Sequence, residues 1–144
     1  MDSITIGIAD GDAHGPISRF YDAVGYTGGV EPADTILVAR DPHRIVAVVR
    51  LTMEHGHLLL RGMQVAADMR RRGLGALLLR ATVEAIHQRE CWCIPHQHLV
   101  LFYGRAGFVE AQLSATPAFL RDRRARYMHA GHAVTVMVRR VAAT

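Results

Sequence analysis

The sequence predicts a single mixed α/β domain over residues 1–144, a central, mostly antiparallel sheet flanked by helices. Three observations carry that prediction. Segments with strand alternation or continuous apolar character take turns with segments of helical period. Short turns such as Asp41-Pro42 join neighbouring strands, which forces them antiparallel. The length of 144 residues suits one domain, which buries roughly two thirds of its unfolded surface and needs no disulfide staples.

The elements follow in order. Ser3 to Ile8 alternates as a short strand. Ile17 to Tyr26 is an amphipathic helix with Ile17, Phe20, Tyr21 and Val24 on one face, broken by Gly25, Gly28 and Gly29. Thr35 to Arg40 and Arg44 to Met53 are strands. Glu54-His55-Gly56-His57 is a hairpin turn into the strand Leu58 to Val65. Helical spacing of Leu74, Leu77, Leu78, Ala81 and Ala85 predicts a helix from Gly73 to about Arg89. Cys91 to Ile94 is a strand stopped by Pro95. His98 to Arg105 is a short helix closed by Gly107. Phe108 to Ser114 and Ala133 to Val141 are strands, and the polar stretch Thr116 to His132 between them is partly helical at best. The order is β-α-β-β-β-α-β-α-β-β.

Composition narrows the function classes. Half the residues are apolar and 21% are charged, which is globular usage. No apolar run reaches the ~20 residues of a membrane span, and the acidic N-terminus lacks a signal peptide's basic and apolar regions. We therefore expect a cytoplasmic chain that does not bind a membrane. All 17 basic residues are arginine, and the net charge of +4 permits an anionic ligand. Aromatics, at 6%, are too sparse to stack on bases between basic residues, so no nucleic acid is expected.

The most informative segment is Arg70-Arg71-Arg72-Gly73-Leu74-Gly75. It leaves a strand, turns and opens a helix. The first N–H groups of a helix have no internal partner and carry the positive end of its dipole. Gly73 and Gly75 let a phosphate approach the main chain, and three guanidinium groups add charge at the same mouth. A solvated arginine turn that merely caps a helix is the other reading of these six residues. The chain has no lysine, so the G-x-x-x-x-G-K-[ST] loop is excluded, and no G-x-G-x-x-G follows the strand.

This R-x-x-G-x-G segment, from Arg70 to Gly75, resembles the cofactor motif [QR]-x-x-G-x-[GA] of the GCN5-related N-acetyltransferase (GNAT) superfamily. Phe102-Tyr103-Gly104-Arg105-Ala106-Gly107-Phe108 is similar to the family's F-Y-x-x-x-G-F, in the right order downstream. The resemblance is close over Arg44 to Phe108 and topological elsewhere. It implies a sheet splayed between the fourth and fifth strands, here Leu58–Val65 and Cys91–Ile94, with acetyl-CoA or another acyl-CoA as co-substrate and no metal.

By position, the resemblance places the main chain of Met63 and Val65 on the pantetheine arm. It places the N–H groups of Arg71, Arg72, Gly73, Leu74, Gly75 and Ala76 on the pyrophosphate, with Arg70 beside them. It implies direct attack of a primary amine on the thioester in one ternary complex. Val65 N–H would polarise the carbonyl, and Tyr103 would be the acid that protonates the thiolate. Two positions depart from the pattern. Leu59 stands where many members carry a carboxylate base. Glu54, His55 and His57 in the adjacent hairpin could act through water or be solvated turn residues; Glu110, His129 and His132 are further candidates. His96 replaces a common asparagine before the tyrosine-bearing helix, so its cofactor contacts would differ.

Cys91, Cys93, His96 and His98 lie within eight residues. Structural zinc uses C-x₂₋₄-C spacing with a well-separated second pair, so the expected reading is a buried strand, with Trp92 on the face opposite the cysteines. Arg121 to Tyr127 holds four arginines, which would face an anionic acceptor or simply solvent. The leading function is thus an acyl-CoA-dependent N-acetyltransferase of a small amine. A protein or peptide N-acetyltransferase and a non-catalytic acyl-CoA sensor are the alternatives. Dimers are common in the family, so a homodimer is one expectation.

Overall fold

The computed structural model describes residues 3–140, and the chain forms two compact units that divide at His87/Gln88. In the first, β1 (Thr5–Ile8), β2 (Thr35–Arg40), β3 (Ile45–Glu54) and β4 (His57–Val65) form an antiparallel meander. The β3–β4 hairpin is closed by two residues, His55 at φ 51° and Gly56 at φ 79°. Positive φ at both central positions is the turn whose twist matches the strands.

Helix α1 (His14–Val24) lays Ile17, Phe20 and Tyr21 onto Ile36, Val38, Ile45 and Val48. Residues of opposite parity, among them Leu37, Ala39, Ala47 and Val49, are also buried, as expected of a sheet covered on both faces. Helix α2 (Leu74–Ile86) packs against all four strands and buries Leu74, Leu78, Leu79, Thr82 and Ile86.

In the second unit, β7 (Met137–Arg139) lies between β5 (Cys91–Cys93) and β6 (Val109–Glu110), antiparallel to both. Two helices accompany them, α3 (Val100–Gly104) and α4 (Ala118–His129). No helix among the described residues is long and apolar enough to cross a membrane.

Helix α2 ends at Ile86, short of the predicted Arg89, where His87 turns to φ 59°, and five further predicted elements differ from the fold. Helix α1 starts three residues early, because the Asp10 side chain accepts from Asp12 N–H and opens a 3-10 turn that runs into it. It stops at Gly25, φ 80°. The predicted helix His98–Arg105 is a 3-10 turn followed by the five residues of α3. The predicted strand Phe108–Ser114 pairs only at Val109 and Glu110; beyond Gln112 the chain coils into a 3-10 turn closed by the Thr116 hydroxyl on Gln112 O.

The last strand is shorter than Ala133–Val141, with Val134 in an isolated bridge to His96. Val141 lies outside the described residues. Most of the predicted irregular stretch Thr116–His132 is in fact the twelve-residue α4. Only Leu120 of α4 is buried, so it has no apolar stripe to betray a helical period.

Candidate active site

The β4–α2 connection contains the first motif. A bulge interrupts β4: Arg61 pairs with Arg50 and Gln64 with Val48, so Gly62 and Met63 together face Val49. Such an extra residue bends a strand and frees a peptide from the ladder. Gly62 takes φ 65°, and a Cβ there would stand 2.9 Å from the Tyr21 and Tyr26 hydroxyl oxygens. Only glycine fits.

Past Val65, Ala66 N–H bonds Val46 O at 2.8 Å, and a 3-10 turn leads to Arg70, whose Nε donates to Val65 O at 3.2 Å. Arg71 (φ 64°) and Gly73 (φ 78°) are both left-handed. Gly73 caps α2 without a side chain, and the first bond of the helix runs from Leu77 N–H to Gly73 O at 3.1 Å. The N–H groups of Leu74, Gly75 and Ala76 precede that bond and have no carbonyl within the helix. A left-handed residue feeding a right-handed helix also turns successive N–H groups into one concavity, which suits an anion.

A Cβ on Gly73 would meet nothing within 4 Å, so the mouth is open to a group of phosphate size. Arg70, Arg71 and Arg72 are exposed around it. Asp68, the nearest carboxylate in sequence, is bound to Arg44 at 2.6 Å, and that hydrogen bond holds its pKa below the usual range.

The second motif is equally well built. Tyr103 is buried at 6% exposure, with the rings of Phe102 and Phe108 edge-on at 5.0 and 5.9 Å. Gly107 takes φ 94° and is backed by Arg139, whose Nε donates to Ala106 O at 3.1 Å. Burial, then the neighbouring Cys93, pushes the Tyr103 pKa above its ordinary 10.0. Burial likewise raises the Cys93 thiol well above 9.0 and Tyr21 above 10.0.

These three raised values have a stability consequence. The unfolded chain releases the protons near pH 9–10 and the folded chain holds them. The stabilisation is complete below about pH 9 and falls as pH rises, by about 1.4 kcal/mol per pH unit for each group ionised only in the unfolded chain. Urea unfolding at pH 8 and pH 11 is expected to show a loss of roughly 5–6 kcal/mol. A flat profile would mean that these groups titrate in the native protein.

The base candidates are dispersed. Leu59 is buried at 2% exposure. Glu54 pairs with Arg61 at 3.3 Å and sits opposite His57 at the hairpin end of β4. Six strand residues, about 20 Å, separate His57 from Met63. Glu110 accepts from Thr135 Oγ1 at 3.2 Å and Gln97 Nε2 at 3.5 Å. His96 is exposed, with the rings of His98 and His132 at 5.8 and 5.7 Å, and His129 closes α4. No group of three or more His, Cys, Asp or Glu among the described residues could hold a metal.

Cys91, Trp92 and Cys93 are all buried. Trp92 donates to Glu90 at 2.8 Å, and Arg140 lies over its ring at 5.3 Å. In α4, Arg121 donates to Thr116 O at 2.6 Å and Arg123 lies over Phe119 at 5.6 Å.

Sequence reasoning missed a buried polar cluster behind the bulge. Arg50 Nε meets Asp34 Oδ2 at 2.7 Å, with side-chain exposures of 2% and 1%. Arg50 Nη1 donates to the Tyr26 hydroxyl at 2.8 Å, and the Tyr21 hydroxyl to Gly62 O at 2.8 Å. Burial opposes ionisation of Asp34, but the Arg50 hydrogen bond, helped by Thr52 and the Glu31 N–H, outweighs it and lowers the pKa. The available signal was Arg50 itself, a charge in the middle of the apolar run Ile45 to Leu51.

Comparison with known proteins agrees with this architecture. Residues 32–110, more than half the chain, match the acetyltransferase (GNAT) domain. The fold is similar to Escherichia coli ElaA, with a TM-score of 0.71 and 14% identity over 94% of this chain and 99% of that one. It is similar to the ribosomal-protein-S18-alanine N-acetyltransferase from Escherichia coli, at 0.68 and 14% over 97% and 96%. It is also similar to a GNAT family acetyltransferase from Elizabethkingia anophelis with acetyl-CoA bound, at 0.63 and 12% over 98% and 100%. No curated protein matches the sequence significantly. At such identities the structural likeness concerns the fold, while the domain match over residues 32–110 establishes the family: the chain belongs to the GNAT acetyltransferases.

Proposed function

We propose that the chain is one acyl-CoA-dependent N-acetyltransferase domain, which passes an acetyl group from acetyl-CoA to a primary amine. One observation carries the cofactor half of this reading. The N–H groups of Leu74, Gly75 and Ala76 precede the first bond of α2 at a glycine cap ringed by Arg70, Arg71 and Arg72. That set suits a pyrophosphate. The main chain of Met63 and Val65 would take the pantetheine arm as an added strand does, and His96 would border it.

In the reaction the amine nitrogen bonds to the thioester carbon and the carbon–sulfur bond breaks. Val65 N–H would stabilise charge on the carbonyl oxygen. Tyr103 would give its proton to the departing thiolate, and the ammonium proton would pass to water, since Glu54 and His57 stand at the far, hairpin end of the strand. Thermal unfolding with acetyl-CoA, and with NAD and ATP as controls, tests binding. Acetyl-CoA at 100-fold over its Kd should raise the midpoint by roughly 6–11 °C. No rise at millimolar acetyl-CoA would defeat the assignment.

Tyr103→Phe is expected to lower kcat by roughly 10²- to 10⁴-fold while acetyl-CoA binding holds. An unchanged kcat would remove the acid role. A second reading, an acyl-CoA sensor without turnover, draws on the buried Leu59 at the strand position where a carboxylate base is common. It predicts the same thermal shift with no transfer to any amine. The acceptor class is open between small amines and protein or peptide amines, and an amine screen against N-terminal peptides separates them.

A further inference from the structure

We propose that Tyr21 is a positioning residue for acyl transfer: its hydroxyl fixes the Gly62–Met63 peptide of the β4 bulge and thereby aims the Met63 N–H. The inference rests on the reading above, in which the Met63 main chain contacts acyl-CoA.

The bulge makes such a device necessary. Gly62 and Met63 share one partner, Val49, so the regular ladder does not dictate how the peptide between them is turned. Glycine at φ 65° adds freedom. What holds the peptide is the hydrogen bond from Tyr21 to Gly62 O, 2.8 Å long and reaching across from α1. A trans peptide is planar, and its C=O and N–H point in opposite directions. With Gly62 O drawn to Tyr21, the Met63 N–H is turned to the opposite side.

The pin is itself immobilised. Tyr21 is 3% exposed, and its ring lies 4.4 Å from that of Tyr26. The Tyr26 hydroxyl accepts from Arg50, which Asp34 anchors. The ring contact holds Tyr21 without needing the Tyr26 hydroxyl, and a polar donor buried in an otherwise apolar helix face is an expensive way merely to fill space.

The test removes one oxygen atom. Tyr21→Phe keeps the ring packing and frees the peptide; Tyr26→Phe leaves the Tyr21–Gly62 bond in place. In the wild type, the Met63 amide resonance should move on adding CoA and on adding acetyl-CoA alike, since both carry the pantetheine arm. In Tyr21→Phe that shift should shrink, and the Kd for CoA and the KM for acetyl-CoA should rise about fivefold, with kcat held within about twofold. Tyr26→Phe should behave as wild type. A Tyr21→Phe protein with wild-type CoA affinity and shifts overturns the proposal, as does an equal loss in both variants, which would assign the effect to packing. Failure of the wild type to bind acetyl-CoA at all overturns the acetyltransferase reading and this inference with it.

Discussion

In Gly73→Glu, acetyl-CoA is expected to leave the unfolding midpoint where it stands without ligand. The wild type should gain about 2.7 kcal/mol at 100-fold over Kd, and this variant nothing measurable. Two effects must be separated, and Gly73→Ala separates them. Any side chain at φ 78° carries left-handed strain of about 1 kcal/mol, so both variants lose a few degrees of stability. Neither meets a steric obstacle, since the space around a Cβ is open to 4 Å. The glutamate, however, brings a negative charge to the positive end of α2 and to three arginines. That charge favours the folded protein by about 0.3–1 kcal/mol, so Gly73→Glu should unfold at or above Gly73→Ala when no ligand is present. It repels a pyrophosphate from the same place. A variant that is the more stable of the two, yet deaf to acetyl-CoA, is the signature of an anion site. A retained shift in Gly73→Glu would make the turn a helix cap and nothing more.

Asp34→Ala is expected to be among the most destabilising single changes in the chain, at about 3–5 kcal/mol, or roughly 10–20 °C in Tm. It strands the Arg50 guanidinium, 2% exposed, with the Tyr26 hydroxyl as its remaining partner among the bonds described. Arg50→Met should cost a similar amount near neutral pH. Its penalty should shrink in acid, where the abandoned carboxylate takes a proton. For the wild type the sign follows from the lowered Asp34 pKa. The contribution of the pair is whole above about pH 4, where the unfolded carboxyl is ionised, and drains away as pH falls through the folded value.

The double variant Asp34→Leu with Arg50→Met should lose less than the two singles added together, because no lone charge is left inside. The contrast lies at Arg44–Asp68. That bond is shorter, at 2.6 Å, but its side chains are 46% and 66% exposed, and Asp68→Ala should cost under about 1 kcal/mol. Denaturant unfolding of the four variants checks the ranking. Single losses at Asp34 and Arg50 no larger than at Asp68 would sink the argument that burial, not length, sets the value of an ion pair.

The parts that could be read from the chain are those whose chemistry is local. The turn before α2 is six consecutive residues, and its glycine cap and exposed arginines are visible by residue type. The edges of β2, β3 and β4 came out within a residue because both faces of the sheet are apolar or the turn is explicit. Helix α4 was illegible for the opposite reason: Leu120 alone is buried and Arg121 to Arg126 look like a solvated loop. The strand at Phe108 was read too long because alternation persists to Leu113 after pairing has stopped. The Asp34–Arg50–Tyr26 cluster spans 16 and 24 residues of separation, and no periodicity announces which charge an inward-facing arginine will meet. The bulge was equally hidden, since Gly62 in a strand signals an irregularity but not the tyrosines that require it.

The packing of β5 has a practical consequence for anyone following this protein at the bench. Cys91 and Cys93 are the chain's only thiols, and they are 0% and 3% exposed. Burial keeps Cys93 protonated and therefore a poor nucleophile. The proposed acetyl transfer would release a new thiol, that of CoA, into solution. A chromogenic disulfide present throughout turnover would therefore report product alone, over a silent protein background. In denaturant the same reagent would begin to count two sulfurs per chain, so one absorbance signal serves both the reaction and the integrity of the catalyst.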